Sequence, residues 1–425
     1  MDFIMYLINN IFSEAVFLIG IVVLIGMLLQ KKRVDRIISG TIKTMVGFLL
    51  ITTGAQSLGL ALLPLQPMLS EIFNLTADLP NLQEAQAQSF VDIGTEMALI
   101  FALGFLLHVL LARITPFKYV HLSAHVSFFY AGLIAALLIF NTGLSTLAVV
   151  LIGSAILAFY LTFTCAYVNP LMKEIEGTQG YTLGHSSSSG LFIASKVGKL
   201  VGKKENDLEA VEIPSSLSFL KEMTVALSVV MTVMFFVISL LAGPAMVMAE
   251  ISDGQDIVSF SIINGLTFGL WITVIITGVR MLLSEVIPAF HGIADKLIPN
   301  AKPGLDVPLL FPSHPTSVIV GFLTSLTAGF IGMAILGLVN YPITVFPALI
   351  PTFFTGAATA IFGNSTGGIR GAVTGSFING LILIFGQAFL LPQIGTYEPM
   401  MRILSETDYA LYGPVFGYLL QLITG

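Results

Sequence analysis

Long apolar runs recur along the whole chain and restrict its fold more than any other feature of the sequence. A helix needs about 20 apolar residues to cross a bilayer core that is about 30 Å thick. About eleven such runs are present, near residues 3–29, 43–63, 94–112, 122–140, 144–167, 219–242, 257–283, 315–338, 341–362, 371–391 and 409–424. The sequence therefore predicts an all-α polytopic membrane protein with about eleven transmembrane helices.

Three prolines interrupt one of these runs. Pro342, Pro347 and Pro351 all fall within residues 341–362, and a proline in a helix interior removes a hydrogen bond and clashes with the preceding turn. We therefore expect broken or re-entrant segments among the spans, with this run as the first candidate.

Composition excludes the soluble classes of protein. Hydrophobic residues make up 56% of the chain and charged residues only 10%, whereas soluble proteins average about 25% charged residues. So few charges cannot cover the surface of a soluble enzyme, and the net charge of -6 disfavours a nucleic acid as partner. The single cysteine, Cys165, lies in an apolar run. We expect no disulfide framework, no metal site and no cofactor.

Basic residues are distributed unevenly between the connections. Of the 18 Lys and Arg residues, 17 fall in alternate connections, and only Arg402 lies on the opposite side. The other connections are acidic, as at residues 71–84 and 250–256. The positive-inside rule then places the N-terminus outside and the C-terminus in the cytoplasm. Residues 1–425 are predicted to form a single integral membrane domain, in which about 168–218 is a cytoplasmic loop with an amphipathic helix.

The segment Gly184–Gly190 reads Gly-His-Ser-Ser-Ser-Ser-Gly and is the most unusual stretch of the chain. Polar groups inside a membrane are costly and mark functional sites. Hydroxyl groups beside a histidine suit a lining that hydrogen-bonds a polyol or a sugar. A flexible cytoplasmic loop is an equally open interpretation of this composition. An intramembrane serine hydrolase would use Ser and His as nucleophile and base, but the G-x-S-x-G elbow is missing.

Two further polar residues interrupt apolar sequence. His125 lies at the start of a span and is interpreted either as a satisfied core residue or as a ligand contact. Asp306 follows Pro303-Gly304 and precedes an apolar stretch with two more prolines. Broken backbone at membrane depth is tolerated where it lines a cavity, so Asp306 is a candidate ligand for a substrate or an ion. The alternative is that Asp306 caps the start of a helix near the interface.

A glycine-rich stretch, Phe362–Gly371, joins two apolar runs. It lacks the lysine and the spacing of a phosphate-binding loop, so we predict a tight hairpin or a close contact between helices. Lys203 and Lys204, followed by Glu205, are interpreted as a solvated cytoplasmic corner or as a docking surface for a soluble partner.

Several short segments of the sequence together resemble one protein family. They are Gly40–Phe48, His125–Ala135, Gly184-His185, Leu200–Glu205, Gly278–Met281 with Glu285 and Ala289-Phe290, and Leu297–Ala301 before Asp306. In this order they resemble the ascorbate-specific enzyme IIC permease of the bacterial phosphotransferase system, over about residues 15–390.

The resemblance implies both architecture and function. It implies a homodimer in the lipid of the bacterial inner membrane, in which each protomer has a substrate-binding core domain and a dimerisation domain. Such a permease imports L-ascorbate by an elevator-type motion, while separate soluble IIA and IIB proteins phosphorylate it to ascorbate 6-phosphate. No catalytic residue is expected in this chain, because the phosphoryl groups are carried by those partners.

The resemblance also implies which residues bind substrate. Matched position by position, they are His125, Val126, Ser127, Phe128, Phe129, His185, Ser186 and Asp306. The family carries Gln where this chain has Phe129 and Ser186. Either the neighbouring Ser127, Tyr130 and Ser187 replace the two amides, or the preferred substrate differs, for example a polyol such as galactitol. A further contact falls in the stretch 75–92, where no residue can be matched.

An alternative function, from another class of transporter, is that of an ion-coupled secondary transporter with Asp306 as its ion or proton site. Collapse of the ion gradients would stop such a transporter, whereas a phosphotransferase permease depends on phosphoenolpyruvate and its soluble partners.

Overall fold

The computed structural model describes residues 15–73, 82–175, 180–212 and 222–424, together with Ser216 and Phe219. Helices make up 81% of it. Many helices carry apolar side chains on every face, and large ones such as Leu106, Leu147 and Leu151 are exposed on the outside of the bundle. A helix that is apolar all round is typical of a membrane span. The predicted all-α polytopic class is confirmed.

The helices follow the predicted runs. In chain order they are α1 Ala15–Leu29, α2 Val34–Leu62, α3 Leu65–Ile72, α4 Leu82–Ile114, α5 Ala124–Asn141, α6 Thr146–Val168, α7 Ser188–Val201, α8 Met223–Ala242, α9 Ile257–Lys296, α10 Pro315–Leu338, α11 Leu349–Leu390, α12 Glu398–Leu404 and α13 Thr407–Thr424. A short turn of helix, Pro244–Met246, runs into a π-helical turn, Val247–Ile251. Three short strands, β1 Tyr119–His121, β2 Thr182–Leu183 and β3 Lys302–Leu305, complete the fold.

Eight helices in the described residues are long and apolar enough to cross a membrane. One of them, Leu349–Gln393, contains most of the predicted run 341–362 and all of the run 371–391, and the described part of the first run is a shorter apolar helix, Val16–Leu29. Eleven crossings therefore remain a prediction, as does the division into core and dimerisation domains.

The helix in the proline-interrupted run begins later than the run itself. Residues 341–348 form no helix, and α11 starts at Leu349, because prolines at 342 and 347 cannot contribute backbone N–H groups to a helix interior. Within α11, Gly368 has a φ of 58°, a left-handed value that favours glycine. The two halves of the helix come together on either side of this residue, and Gly363 contacts Gly371. The predicted tight hairpin is thus present.

The three strands form a parallel sheet with β3 in the middle. His121 and Thr182 pair with Gly304 from opposite sides. A Cβ atom at Gly304 would lie 2.6 Å from Sγ of Cys165, so only glycine fits between α6 and the sheet. The sequence did not predict this sheet, because strands of two to four residues carry no readable alternation.

The middle of the segment 168–218 is packed into the protein. Thr182 and His185–Ser189 are buried, and α7 lies against the hairpin of α11, where Gly198 meets Gly363 and Gly367. The interpretation of 184–190 as a flexible loop is therefore wrong, because these buried residues connect β2 to the start of α7 and are covered by other elements.

The following loop is held at the end of the same hairpin. Glu209 accepts hydrogen bonds from the backbone N–H groups of Thr316 and Ser317, 3.0 and 2.7 Å away, at the start of α10. Asn364 donates to Asp207 over 2.6 Å. Lys204 is exposed and pairs with Glu174 over 3.2 Å, as expected for a solvated corner.

Candidate functional site

The parallel sheet brings three predicted site residues together. His125 follows β1, His185 follows β2 and Asp306 directly follows β3. Residues after parallel strands lie at the same edge of a sheet. The Nε2 atoms of His125 and His185 lie 3.4 Å from Oδ2 and Oδ1 of Asp306, respectively. Residues separated by up to 181 positions thus meet around one carboxylate.

Asp306 fits both interpretations offered by the sequence. It caps a 3-10 helix, Val307–Ser313, by accepting a hydrogen bond from the N–H of Val307 over 2.8 Å. The same carboxylate also contacts the two histidines. The cap fixes the carboxylate, and the histidines are arranged around it.

The hydrogen bonds of His185 determine which ring nitrogen carries the proton. The backbone N–H of Ser187 donates to Nδ1 over 3.1 Å. In a neutral imidazole the nitrogen that accepts a hydrogen bond is not protonated, so the proton lies on Nε2 and faces Asp306. The hydroxyl of Ser187 is 3.0 Å from the same Nδ1, but Ser187 is fully buried. A buried hydroxyl outside the cavity does not support the serine hydrolase interpretation.

An unpredicted carboxylate lies on the other side of His185. Oε2 of Glu406 is 3.4 Å from Nδ1 of His185 and accepts a hydrogen bond from the Ser186 hydroxyl. Glu406 belongs to the short connection between α12 and α13. The feature of the sequence that could have pointed to Glu406 is an acidic pair, Glu406 and Asp408, immediately before the last apolar run.

Asp408 supports the segment that carries His185 and Ser186. Its Oδ1 accepts hydrogen bonds from the backbone N–H of Ser189, over 2.8 Å, and from the Ser189 hydroxyl. Its Oδ2 accepts one from the Tyr160 hydroxyl over 2.8 Å, and its backbone N–H donates to the carbonyl of Ser186 over 2.8 Å. A single buried side chain therefore joins α6, α7 and α13.

A cavity of about 580 Å³ opens beside these groups. One wall is formed by α2 and α3, and another by the segment 346–354. The site residues His125, Val126, Phe129, His185, Ser186, Asp306 and Glu406 face it together with Gln387, Arg402 and Tyr409. Apolar walls with a few convergent polar groups are typical of small-molecule sites.

Other predicted contacts lie away from this cavity. Ser127 is buried and bonds to Nδ1 of His121 over 3.2 Å, and Phe128 packs edge-on against Phe101. Tyr130 stacks on Tyr160 with ring centroids 3.7 Å apart. None of Ser127, Phe128, Tyr130 and Ser187 is among the residues that line the cavity. Of the stretch 75–92, residues 75–81 lie outside the described residues, and for residues 82–91 the helix is described but the side chains are not.

The arrangement is suited to hydrogen bonding of a hydroxylated ligand. Imidazole N–H, carboxylate, hydroxyl and amide groups converge on one space. In the part of the chain that the structure describes, no group of three or more His, Cys, Asp or Glu is placed to hold a metal ion.

Comparison with known proteins supports this interpretation. A family model described as the sugar-specific permease component of the phosphotransferase system matches residues 10–408. The ascorbate-specific phosphotransferase EIIC component of Mycoplasma pneumoniae is 23% identical over 441 positions, covering 90% of this chain. The chain spans 66% of that relative's length. This integral membrane protein, a transporter subunit, therefore belongs to the ascorbate/galactitol family of sugar-specific permease (IIC) components of the phosphotransferase system.

Proposed function

We propose that this protein imports L-ascorbate, coupled to its phosphorylation to ascorbate 6-phosphate by separate IIA and IIB proteins. The observation that carries the proposal is the convergence of His125, His185 and Asp306 on one cavity of sufficient size for a small sugar acid. The similarity to an ascorbate-specific component supports the choice of substrate.

In this proposal the eight residues matched by resemblance, from His125 to Phe129 with His185, Ser186 and Asp306, make up the substrate site. His125 and Asp306 would contact the hydroxyl groups of the enediol ring, and His185, whose Nε2–H faces Asp306, would orient that carboxylate at the edge of the cavity. Val126 and Phe129 would supply apolar contact. Ser127 and Phe128 would reach substrate only in another conformation, since they lie away from the cavity in this one.

Transport is assigned to an elevator-type motion. The cavity lies between α2 and α3 on one side and the sheet-centred elements on the other. A rigid-body displacement between these two groups would carry a bound ligand across the membrane while its contacts to the strand ends stay intact.

Phosphoryl transfer is assigned to the soluble partners. Cys165 is fully buried between α6 and the sheet, where a thiolate is disfavoured. The partners would dock on the basic connections of the cytoplasmic side. The protein would act as a homodimer in the inner membrane, with its N-terminus outside and its C-terminus in the cytoplasm.

A neutral polyol such as galactitol is the second candidate substrate. Phe129 and Ser186 both line the cavity and replace two amides that the resemblance leads us to expect. This difference at the cavity wall favours a change of substrate within the family.

Reconstituted transport tests the proposal. Proteoliposomes containing phosphoenolpyruvate, the general phosphotransferase proteins, IIA and IIB should accumulate ascorbate 6-phosphate from external radiolabelled L-ascorbate, with or without ionophores. Uptake that needs no phosphoenolpyruvate and stops with ionophores would establish an ion-coupled transporter instead. Inhibition by galactitol at lower concentration than by unlabelled ascorbate would favour the second candidate.

A further inference from the structure

We propose that Glu406 contacts the substrate and, together with Asp306, sets the preference of the site between anionic and uncharged polyhydroxylated ligands. The inference rests on the proposed function for the statement that this cavity is the substrate site. Neither the family resemblance nor the match to a known permease assigns a role to Glu406.

The location of Glu406 is the first argument. Its side chain is 14% exposed, and it lines the cavity next to Ser186 and His185. The imidazole of His185 lies between two carboxylates, with Asp306 facing Nε2 and Glu406 facing Nδ1, each over 3.4 Å. A ligand in the cavity that contacts His185 therefore lies within reach of both acids.

The hydrogen bonding of Glu406 is incomplete. A carboxylate has about four acceptor positions, and among the described residues the Glu406 side chain accepts one hydrogen bond, from Ser186. His185 does not donate to it while neutral, because Nδ1 already accepts from the N–H of Ser187. A largely buried carboxylate needs further donors, and the hydroxyl groups of a polyol or sugar supply them.

The balance of charge in the cavity is the third argument. Its ionisable lining consists of His125, His185, Asp306, Arg402 and Glu406. The guanidinium of Arg402 is already engaged, 3.1 Å from Glu398 and 2.7 Å from the carbonyl of Thr344. Among the lining residues that the structure describes, two acids therefore face the ligand, and the guanidinium is held by other partners. Such a lining attracts hydroxyl donors and makes the affinity for an anionic ring depend on the charge that the two acids carry.

The variant Glu406→Gln separates charge from shape. It keeps a side chain of the same length that still accepts from Ser186, and it removes the negative charge of the ionised carboxylate. Burial raises the pKa of the Glu406 carboxyl to about 8, so binding is measured at about pH 8.5. Binding of L-ascorbate, an anion at neutral pH, is compared with binding of L-gulono-1,4-lactone, an uncharged lactone with the same carbon skeleton, by calorimetry on purified protein.

We expect the ratio of ascorbate affinity to lactone affinity to rise about tenfold or more in Glu406→Gln, because one charge a few ångströms away acts on the anion alone. The control Glu250→Gln removes an exposed acid that does not line the cavity, and it should leave the ratio unchanged. A role of Glu406 in folding alone would change both affinities by the same factor.

Each alternative result has a definite meaning. An unchanged ratio in Glu406→Gln, with both ligands bound, overturns the inference and leaves the proposed function intact. A wild-type protein that binds neither ligand overturns both. If Glu406→Gln does not fold, Glu406→Ala, which also removes the charge, must raise the ratio. If neither variant folds, Glu406 is a structural residue and the inference is wrong.

Discussion

Replacing Asp408 should weaken both the fold and the binding site. In Asp408→Ala, the N–H and hydroxyl of Ser189 and the hydroxyl of Tyr160 lose their buried acceptor. A hydrogen bond to a charged group contributes about 1.5–3 kcal/mol, and part of the loss is offset because the variant no longer buries a carboxylate. We expect a net destabilisation of roughly 3 kcal/mol from these terms.

The effect should extend to ligand binding, because the Asp408 side chain holds Ser189, which lies three residues after the cavity residue Ser186. Thermal unfolding of the purified protein in detergent, followed by ligand binding below the transition, measures both consequences. Asp408→Asn keeps one carbonyl acceptor and should lose less stability than Asp408→Ala.

A double-mutant cycle tests the individual contact. Tyr160→Phe removes only the hydroxyl that donates to Asp408, so its effect should largely disappear in the Asp408→Ala background. Additive effects of the two substitutions, or an Asp408→Ala protein with wild-type unfolding temperature and affinity, would refute the argument.

Three further predictions concern the site, the coupling and the topology. His185→Ala should reduce affinity for ascorbate and for its lactone analogue about tenfold or more, because Asp306 loses the Nε2–H that faces and orients it, whereas His291→Ala on the exposed face of α9 should not change binding. Without IIB, phosphoenolpyruvate and the general phosphotransferase proteins should leave the chain unphosphorylated, and mass spectrometry that finds phosphate on Cys165 or His185 would contradict this. A reporter active only in the cytoplasm should work after Thr424 and fail within residues 250–256, and the opposite pattern would reverse the predicted orientation.

Most of the fold could be predicted because membrane helices leave strong local signals. Each predicted run overlaps a helix in the described residues, and the prolines at 342 and 347 explain why the first half of α11 begins only at Leu349. The small sheet could not be predicted, since its register depends on contacts between residues near 120, 182 and 304. No local pattern encodes such distant pairing.

The candidate site was predictable in part for the same reason. His125, His185 and Asp306 interrupt apolar or unusual segments, so each stands out in the sequence. Glu406 does not stand out, because an acid before an apolar run is also typical of an ordinary helix start. Its place beside His185 depends on how α13 packs against α5 and α7, which only the folded chain reveals.

The strand order also constrains when the site can form during synthesis. In the sheet, β1 and β2 are both paired with β3 and not with each other. Of the three strands, β3 comes last in the chain. The ribosome must therefore deliver about 300 residues, including most of the apolar helices, before the sheet can close. Until then the segments ending in His125 and His185 lack their shared neighbour. A nascent chain that stops before Lys302 should insert its helices and yet have no binding site, so the ability to hold a ligand arises in one late step of biogenesis.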